Sequence, residues 1–241
     1  MNLLLDIGNT RVKWARADGE RLRDSGSIAH REDPAWSARL PAERPAAVWV
    51  ASVADSAAVE SLAAHAGDRW ALTPRVVHST ARACGVRNAY ARPERLGVDR
   101  WLACIGGYHR GAGSVLIADA GTALTLDFVA ADGRHRGGLI TPGVATMRAA
   151  IAGGTRVRAE PGEFEPAWLA DDTDPAVALG TLQSALSLIG NARRALAPER
   201  LLLTGGEADL LAPHLDTAWE RVPTLVLEGL ARLAAAGDNS A

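Results

Sequence analysis

The chain states one pattern twice, and the repetition narrows its architecture more than any other feature. Residues 3–28, "LLLDIGNTRVKWARADGERLRDSGSI", align with residues 115–140, "VLIADAGTALTLDFVAADGRHRGGLI". Each copy opens on an apolar run ending in an acid, Asp6 or Asp119, followed by x-Gly and then a threonine, Thr10 or Thr122. A second strand-like run then reaches an Asp-Gly pair, Asp18-Gly19 or Asp132-Gly133, before a third run returns. Asp-Gly between two such runs is a hairpin signal. The acids and the glycines keep nearly the same separation, so duplication explains the likeness better than chance similarity of hairpins. Each half therefore begins as a three-stranded antiparallel unit.

Beyond each unit, strand and helix patterns alternate. In the first half, residues 45–53 read as a buried strand and 55–67 as a helix capped by Asp55. Residues 75–79 read as a short strand and 95–111 as a helix with glycines in its last turns. In the second half, 142–154 reads as a helix with Pro142 near its start and glycine after its end. Residues 174–197 form a long helix pattern, 200–215 read strand, glycine turn, helix, and 221–237 close with a strand end and a helix. Residues 155–172 are irregular and read as a surface loop, and "GDNSA" reads as a frayed tail. The expected class is α/β, with mixed β-sheets flanked by helices in two halves, 1–112 and 113–241.

Composition trims the functional classes. A net charge of −2 lacks the basic excess of a nucleic-acid or membrane-surface protein. No apolar run is long enough to span a bilayer, and the N-terminus lacks the basic start and apolar core of a signal peptide. The two cysteines, Cys84 and Cys104, have no metal-ligand spacing and read as reduced thiols of a cytoplasmic protein. The six histidines likewise show no ligand spacing and no triad, and His135, in a hairpin, is expected at the surface. The seven tryptophans read mainly as core, and "ARRA" at 192–195 as a solvated helix face. Of the 26 basic residues only Lys13 is lysine. Its compact ammonium is not equivalent to a guanidinium against a phosphate in a tight turn.

A strand entering Asp-x-Gly-x-Thr makes a turn whose backbone N–H groups cluster, and clustered donors favour an anion such as phosphate. A carboxylate beside phosphate needs a cation between them. Asp6 therefore suits Mg²⁺ or its water shell. Two such turns, one from each half, can hold one nucleotide triphosphate across a cleft. An acid at a strand end also caps its own turn by bonding nearby N–H groups, which is the structural alternative. No Walker A loop occurs, and "GAGS" at 111–114 precedes a strand rather than opening a helix, so a Rossmann fingerprint is absent. "LLLTGGEAD" at 201–209 is a strand ending in Thr204-Gly205-Gly206, which allows close approach of a flat ligand such as adenine.

With these motifs the sequence resembles the superfamily of acetate and sugar kinases, heat-shock chaperones and actin. Within it the chain looks like a type III pantothenate kinase, the family that includes the Bvg accessory factors. The stretch "YARPERLGVDRW" at 90–101 matches the family's Y-x-x-P-x-x-L-G-x-D-R at every fixed position. "DIGNT", "DAGTALTLD", "GGLITPG" and "TGG" follow the family order along nearly the whole chain. The resemblance implies duplicated actin-like (ribonuclease H-like) domains and phosphorylation of pantothenate by ATP, the first step toward coenzyme A.

The resemblance also assigns residues. Asp6, Ile7, Gly8, Asn9, Thr10, Arg11, Val12 and Lys13 correspond to the ATP-phosphate segment, with Thr122 a further nucleotide contact. Tyr90, Gly97, Val98, Asp99 and Arg100 correspond to pantothenate-binding positions, and Asp99 to the proton acceptor. Asp119 matches the position holding a monovalent cation, K⁺ or NH₄⁺. Thr173 matches a substrate-contacting threonine, with Thr181 in "LGTLQ" as a rival. Family members are homodimers with sites near the subunit interface.

The chemistry is consistent with those roles. Arg100 can pair the pantothenate carboxylate through a two-pronged contact. Asp99, at a helix start, can accept a hydroxyl proton. An Asp-Arg pair at a helix start is otherwise commonly a surface pair, and Tyr90 otherwise a core or surface aromatic. Two other functions suit parts of the pattern: a sugar kinase of the same fold, and a non-catalytic regulatory accessory protein.

Overall fold

The computed structural model describes residues 1–30, 33, 35–53, 56–155, 157 and 168–237. Its chain divides into two compact units. The first comprises residues 1–112, 129–137 and 224–241, and the second 113–128 and 138–223.

In the first unit, β1 (Asn2–Ile7) is the central strand because both of its faces are apolar; Leu3, Leu4, Leu5 and Ile7 are buried. β2 (Arg11–Asp18) and β3 (Arg21–Ala29) complete the antiparallel meander. Gly19, at φ 58°, takes the first central position of their turn, where glycine carries no steric cost. β4 (Val48–Ser52) and β5 (Arg75–Val76) add on parallel to β1, giving the order β3-β2-β1-β4-β5. α1 (Ser56–Trp70) covers one face, where Leu62, Ala66 and Trp70 meet Leu3, Leu5 and Ile7. Burying each such leucine stabilises by about 1.5–3 kcal/mol. A small hairpin, β6 (Arg82–Ala83) and β7 (Val86–Arg87), precedes α2 (Val98–His109).

The second sheet repeats the first. β8 (Val115–Ala120), β9 (Ala123–Val129) and β10 (His135–Pro142) form the meander, and β11 (Arg200–Thr204) and β12 (Trp219–Arg221) extend it in the order β10-β9-β8-β11-β12. α3 (Val144–Gly154), α4 (Thr173–Leu196) and α5 (Ala208–Leu211) belong to this unit, whose core joins Leu116, Leu124 and Leu203 to Leu182 and Ile189 of α4. The closing helix, α6 (Leu225–Ala235), belongs to the first unit and packs on α2. The crossing is close: a Cβ on Gly229 would lie 2.0 Å from the Leu102 carbonyl oxygen, and one on Gly106 2.5 Å from that of Leu225.

The fold is thus α/β with two mixed sheets of identical strand order, which extends the likeness beyond the repeated segments. Several expected boundaries shift. The helix expected from 95 begins at Val98, because Pro93–Arg95 forms a separate 3-10 turn. Pro142 ends β10 instead of opening α3, and Gly153 and Gly154 lie inside that helix. Asp55, most of the expected loop 155–172, and the tail beyond Gly237 lie outside the described residues. Among the tryptophans, Trp36, Trp49, Trp70 and Trp101 are core, whereas Trp168 is 74% exposed. His135 is not at the surface; it is 3% exposed, because the hairpin carrying it docks against β7. Neither cysteine is disulfide-bonded. Among the described residues no helix is long and apolar enough to cross a membrane.

Candidate active site

Asp6 lies near the carboxyl end of β1, on the face opposite Leu5 and Ile7, so the strand can bury its leucines while leaving the acid partly accessible. Ligands of open α/β sheets gather at this end of parallel strands. Antiparallel register sets Lys13, the one lysine of the chain, directly opposite Asp6. Between them the turn is tight, with the Gly8 N–H donating to the Arg11 carbonyl at 3.1 Å. His30 braces it from behind: its Nε2–H donates to the Gly8 carbonyl at 2.7 Å and its backbone N–H to the Thr10 carbonyl at 3.3 Å. Asn9 and Thr10 are exposed. Ile7 and Val12 are fully buried, so within this segment they can offer a ligand only their main chain.

The 90–101 stretch folds into a second cluster of the same unit. The Asn88 side chain donates to the carbonyls of Thr80 and Pro93 and accepts the Tyr90 N–H at 3.0 Å, fixing the loop. Arg100 is 5% exposed, and its Nη1 donates to the Tyr90 hydroxyl at 3.2 Å. Gly97 is the N-cap of α2, and Asp99 stands in its first turn, where the helix dipole favours negative charge. Asp99 Oδ1 accepts the Arg100 N–H at 2.7 Å. A Cβ on Gly97 would lie 2.6 Å from that same oxygen, so glycine there leaves room for the carboxylate. Tyr90, Gly97, Val98, Asp99 and Arg100 are therefore one constellation.

In the second unit the three quoted glycine motifs converge. Parallel register pairs Asp119 with Thr204. A Cβ on Gly205, which sits at φ +99°, would lie 2.1 Å from the Ala120 carbonyl oxygen and 2.5 Å from Asp119 Oδ1. A Cβ on Gly143 would lie 1.9 Å from the Gly121 carbonyl oxygen. The Thr122 carbonyl accepts the Gly143 N–H at 2.9 Å and the Thr146 hydroxyl at 2.7 Å. Glu207 ties the cluster together: its carboxylate accepts the N–H groups of Val144 and Ala145 at the start of α3, and its own N–H donates to the Ala120 carbonyl. Gly205 leaves oxygen donors around Asp119 uncovered by any side chain of its own, a set that suits a hard cation.

Thr173 opens α4 and is exposed, next to its N-cap Asp172. Thr181 is 5% exposed; its hydroxyl donates to the Val177 carbonyl at 2.8 Å and accepts from Arg148 Nε at 3.2 Å. Thr173 thus has the freer hydroxyl. Both line an apolar groove of about 690 Å³, with Pro142, Met147, Ile151 and Val177.

Residues 2–194 match the family model described as type III pantothenate kinase. The chain belongs to the type III pantothenate kinase family. Proteins named type III pantothenate kinase from Burkholderia mallei and Nitrosococcus oceani are 43% and 37% identical to it. The Burkholderia alignment covers 97% of this chain and 99% of the relative, and the Nitrosococcus alignment 97% and 94%. Among solved structures, a conserved putative Baf family transcriptional activator from Campylobacter jejuni superposes with a TM-score of 0.61 at 21% identity, covering 98% of this chain and 99% of that one. A putative 2-dehydro-3-deoxygalactonokinase from Sinorhizobium meliloti superposes at 0.56 and 16%, covering 98% of each. At those identities the likeness is one of fold: duplicated, actin-like α/β domains. As a family member the chain is a kinase, and a kinase of this fold uses ATP.

The roles of His30, Asn88 and Glu207 escaped the sequence reading. His30 and Glu207 act on backbone groups 22 and 62 or 63 residues away, which no local pattern records, whereas Asn88 accepts the N–H two residues on, a local signal that the sequence did carry.

Proposed function

We propose that this type III pantothenate kinase transfers the γ-phosphoryl group of ATP to the primary hydroxyl of pantothenate, giving 4′-phosphopantothenate at the first step of coenzyme A biosynthesis. The observation that carries the reading is the grouping of Asp99, Arg100 and Tyr90 at the start of α2. A buried guanidinium beside a phenol suits a substrate carboxylate, and the neighbouring carboxylate suits a hydroxyl to be deprotonated.

In this reading Asp99 orients the alcohol and accepts its proton as the new O–P bond forms and the bond to the ADP oxygen breaks. Gly97 and Val98 shape the pocket with Tyr90. The segment Asp6 to Lys13 receives the phosphates, with Gly8 to Thr10 offering main-chain and side-chain donors and Lys13 a positive charge. Thr122 is a further nucleotide contact. Asp6 suits water-bound Mg²⁺, and Asp119 a monovalent cation, K⁺ or NH₄⁺. Those cations neutralise phosphate charge, and positioning supplies much of the rest in phosphoryl transfer. Residues 1–112 supply the phosphate turn and the substrate segment, and residues 113–241 the second turn and the Thr204-Gly205-Gly206 turn.

Thr173 is the further substrate contact, because the Thr181 hydroxyl is already engaged. The working form is a cytoplasmic homodimer acting on small molecules rather than nucleic acid or membrane. Support for the dimer comes from the α3–α4 groove together with Leu139 and Ile140 of β10, which are 49% and 65% exposed. The deciding experiment measures ADP release with ATP, Mg²⁺ and K⁺, with and without pantothenate. Pantothenate-dependent release is expected; equal release with a sugar acceptor and none with pantothenate overturns the reading.

A further inference from the structure

We infer that His135 is a positioning residue for substrate binding, stacking behind Tyr90 so that its hydroxyl stays with Arg100; the inference rests on the proposed role of Tyr90. The two rings lie nearly parallel, at an interplanar angle of 16° with centroids 6.3 Å apart. That separation falls within the range of attractive offset stacks.

Tyr90 is held at three places. Asn88 Oδ1 takes its backbone N–H, Arg100 Nη1 reaches its hydroxyl, and His135 lies along its ring. The first two holds leave a freedom. Rotation about the bond to a planar ring is broad, and one hydrogen bond at the hydroxyl does not define the ring plane. A partly buried tyrosine held only at its ends can pivot. A buried flat partner along its ring removes that pivot.

His135 arrives there by a rigid route. The loop between β9 and β10 docks on the segment preceding Tyr90. The Arg87 N–H donates to the Gly133 carbonyl at 2.9 Å, and Arg87 Nη2 pairs with Asp132 at 3.3 Å. Gly133, at φ +79°, sits so close to that segment that a Cβ would lie 2.3 Å from the Gly85 carbonyl oxygen. Two residues on, His135 begins β10 and is buried. Tyr90 is thus oriented by a residue distant in sequence, carried on the β9–β10 hairpin.

A positioning role predicts a particular kinetic signature. Loss of the stack weakens pantothenate binding equally in the ground and transition states, so KM for pantothenate rises while kcat holds. The rise is about threefold to tenfold, the range an aromatic pair of this kind supports. The test compares His135→Leu, which fills the space without a ring, with His135→Phe, which keeps the ring. Leucine is expected to raise KM for pantothenate with kcat and KM for ATP within about twofold of wild type, and phenylalanine to restore it. On a Tyr90→Ala background His135→Leu is expected to add nothing, because the stack is already gone. Equal KM for the leucine and phenylalanine variants, or a further rise on the Tyr90→Ala background, overturns the inference. If Tyr90→Ala leaves KM for pantothenate unchanged, the substrate reading of Tyr90 itself fails, whichever way the His135 variants behave.

Discussion

Gly97 and Lys13 show how much can depend on one small or one compact side chain. The absent Cβ of Gly97 is what lets Asp99 Oδ1 occupy its position. Gly97→Ala is therefore expected to displace the carboxylate and lower kcat while leaving nucleotide affinity unchanged, as read by steady-state ADP release and nucleotide titration. Asp99→Asn removes the proton acceptor but keeps the shape. Its kcat should fall by about 10²–10⁴-fold, the usual contribution of a general base, with ATP binding intact; wild-type turnover would exclude Asp99 from that role. Lys13 stands opposite Asp6 in the β1–β2 register. Lys13→Arg keeps the charge but not the point-like ammonium, and KM for ATP should rise on the order of tenfold. Asp6 and Asp99 stood out in the sequence as candidates because each belongs to a short motif, and Lys13 because it is the one lysine of the chain. His135 was misread as exposed because its burial is decided by Gly133 seating against Gly85, a contact no local pattern records.

At the scale of elements, the three-stranded meander opening each sheet was read from the repeat, whereas the places of the later parallel strands, β4, β5, β11 and β12, lie outside the repeated segments and were not. Helix starts could not be read as well. Pro142 looked like a helix opener, yet it closes β10, and α3 begins only where Glu207 accepts the Val144 N–H from a distant turn. That turn is intolerant of side chains. Gly205→Ala should strain the backbone at φ +99° and press on the Ala120 carbonyl, costing about 1–3 kcal/mol or more in stability, measurable as a drop in Tm. A neighbouring link gives a pH prediction. The Ser114 N–H and then its hydroxyl hold the Glu199 carboxyl below its ordinary value of 4.5. Its ionised form is therefore favoured by the fold. The stability it gives is fully present above that ordinary value and is lost as pH falls through the lower folded one. Glu199→Gln should flatten the decline of Tm on acidification below about pH 4.5; an unchanged decline would mean the link contributes nothing.

For the whole molecule, the α3–α4 groove presents apolar side chains to solvent in a family member proposed to work as a pair. Val177→Asp would force a carboxylate into such an interface at a cost of several kcal/mol. Sedimentation should then find monomers where the wild type sediments as a dimer, and an unchanged dimer would move the interface elsewhere. The two-unit division has a consequence for how the chain matures. The helix bearing Asp99 and Arg100 is backed by α6, the last described helix, through the Gly106 and Gly229 approaches. During synthesis, then, the amino-terminal sheet can emerge early, yet α2 waits without its backing helix until residues 225–235 have been made. A nascent chain halted before Leu225 should be protease-sensitive around residue 100 even though the residues proposed to touch pantothenate have already been made.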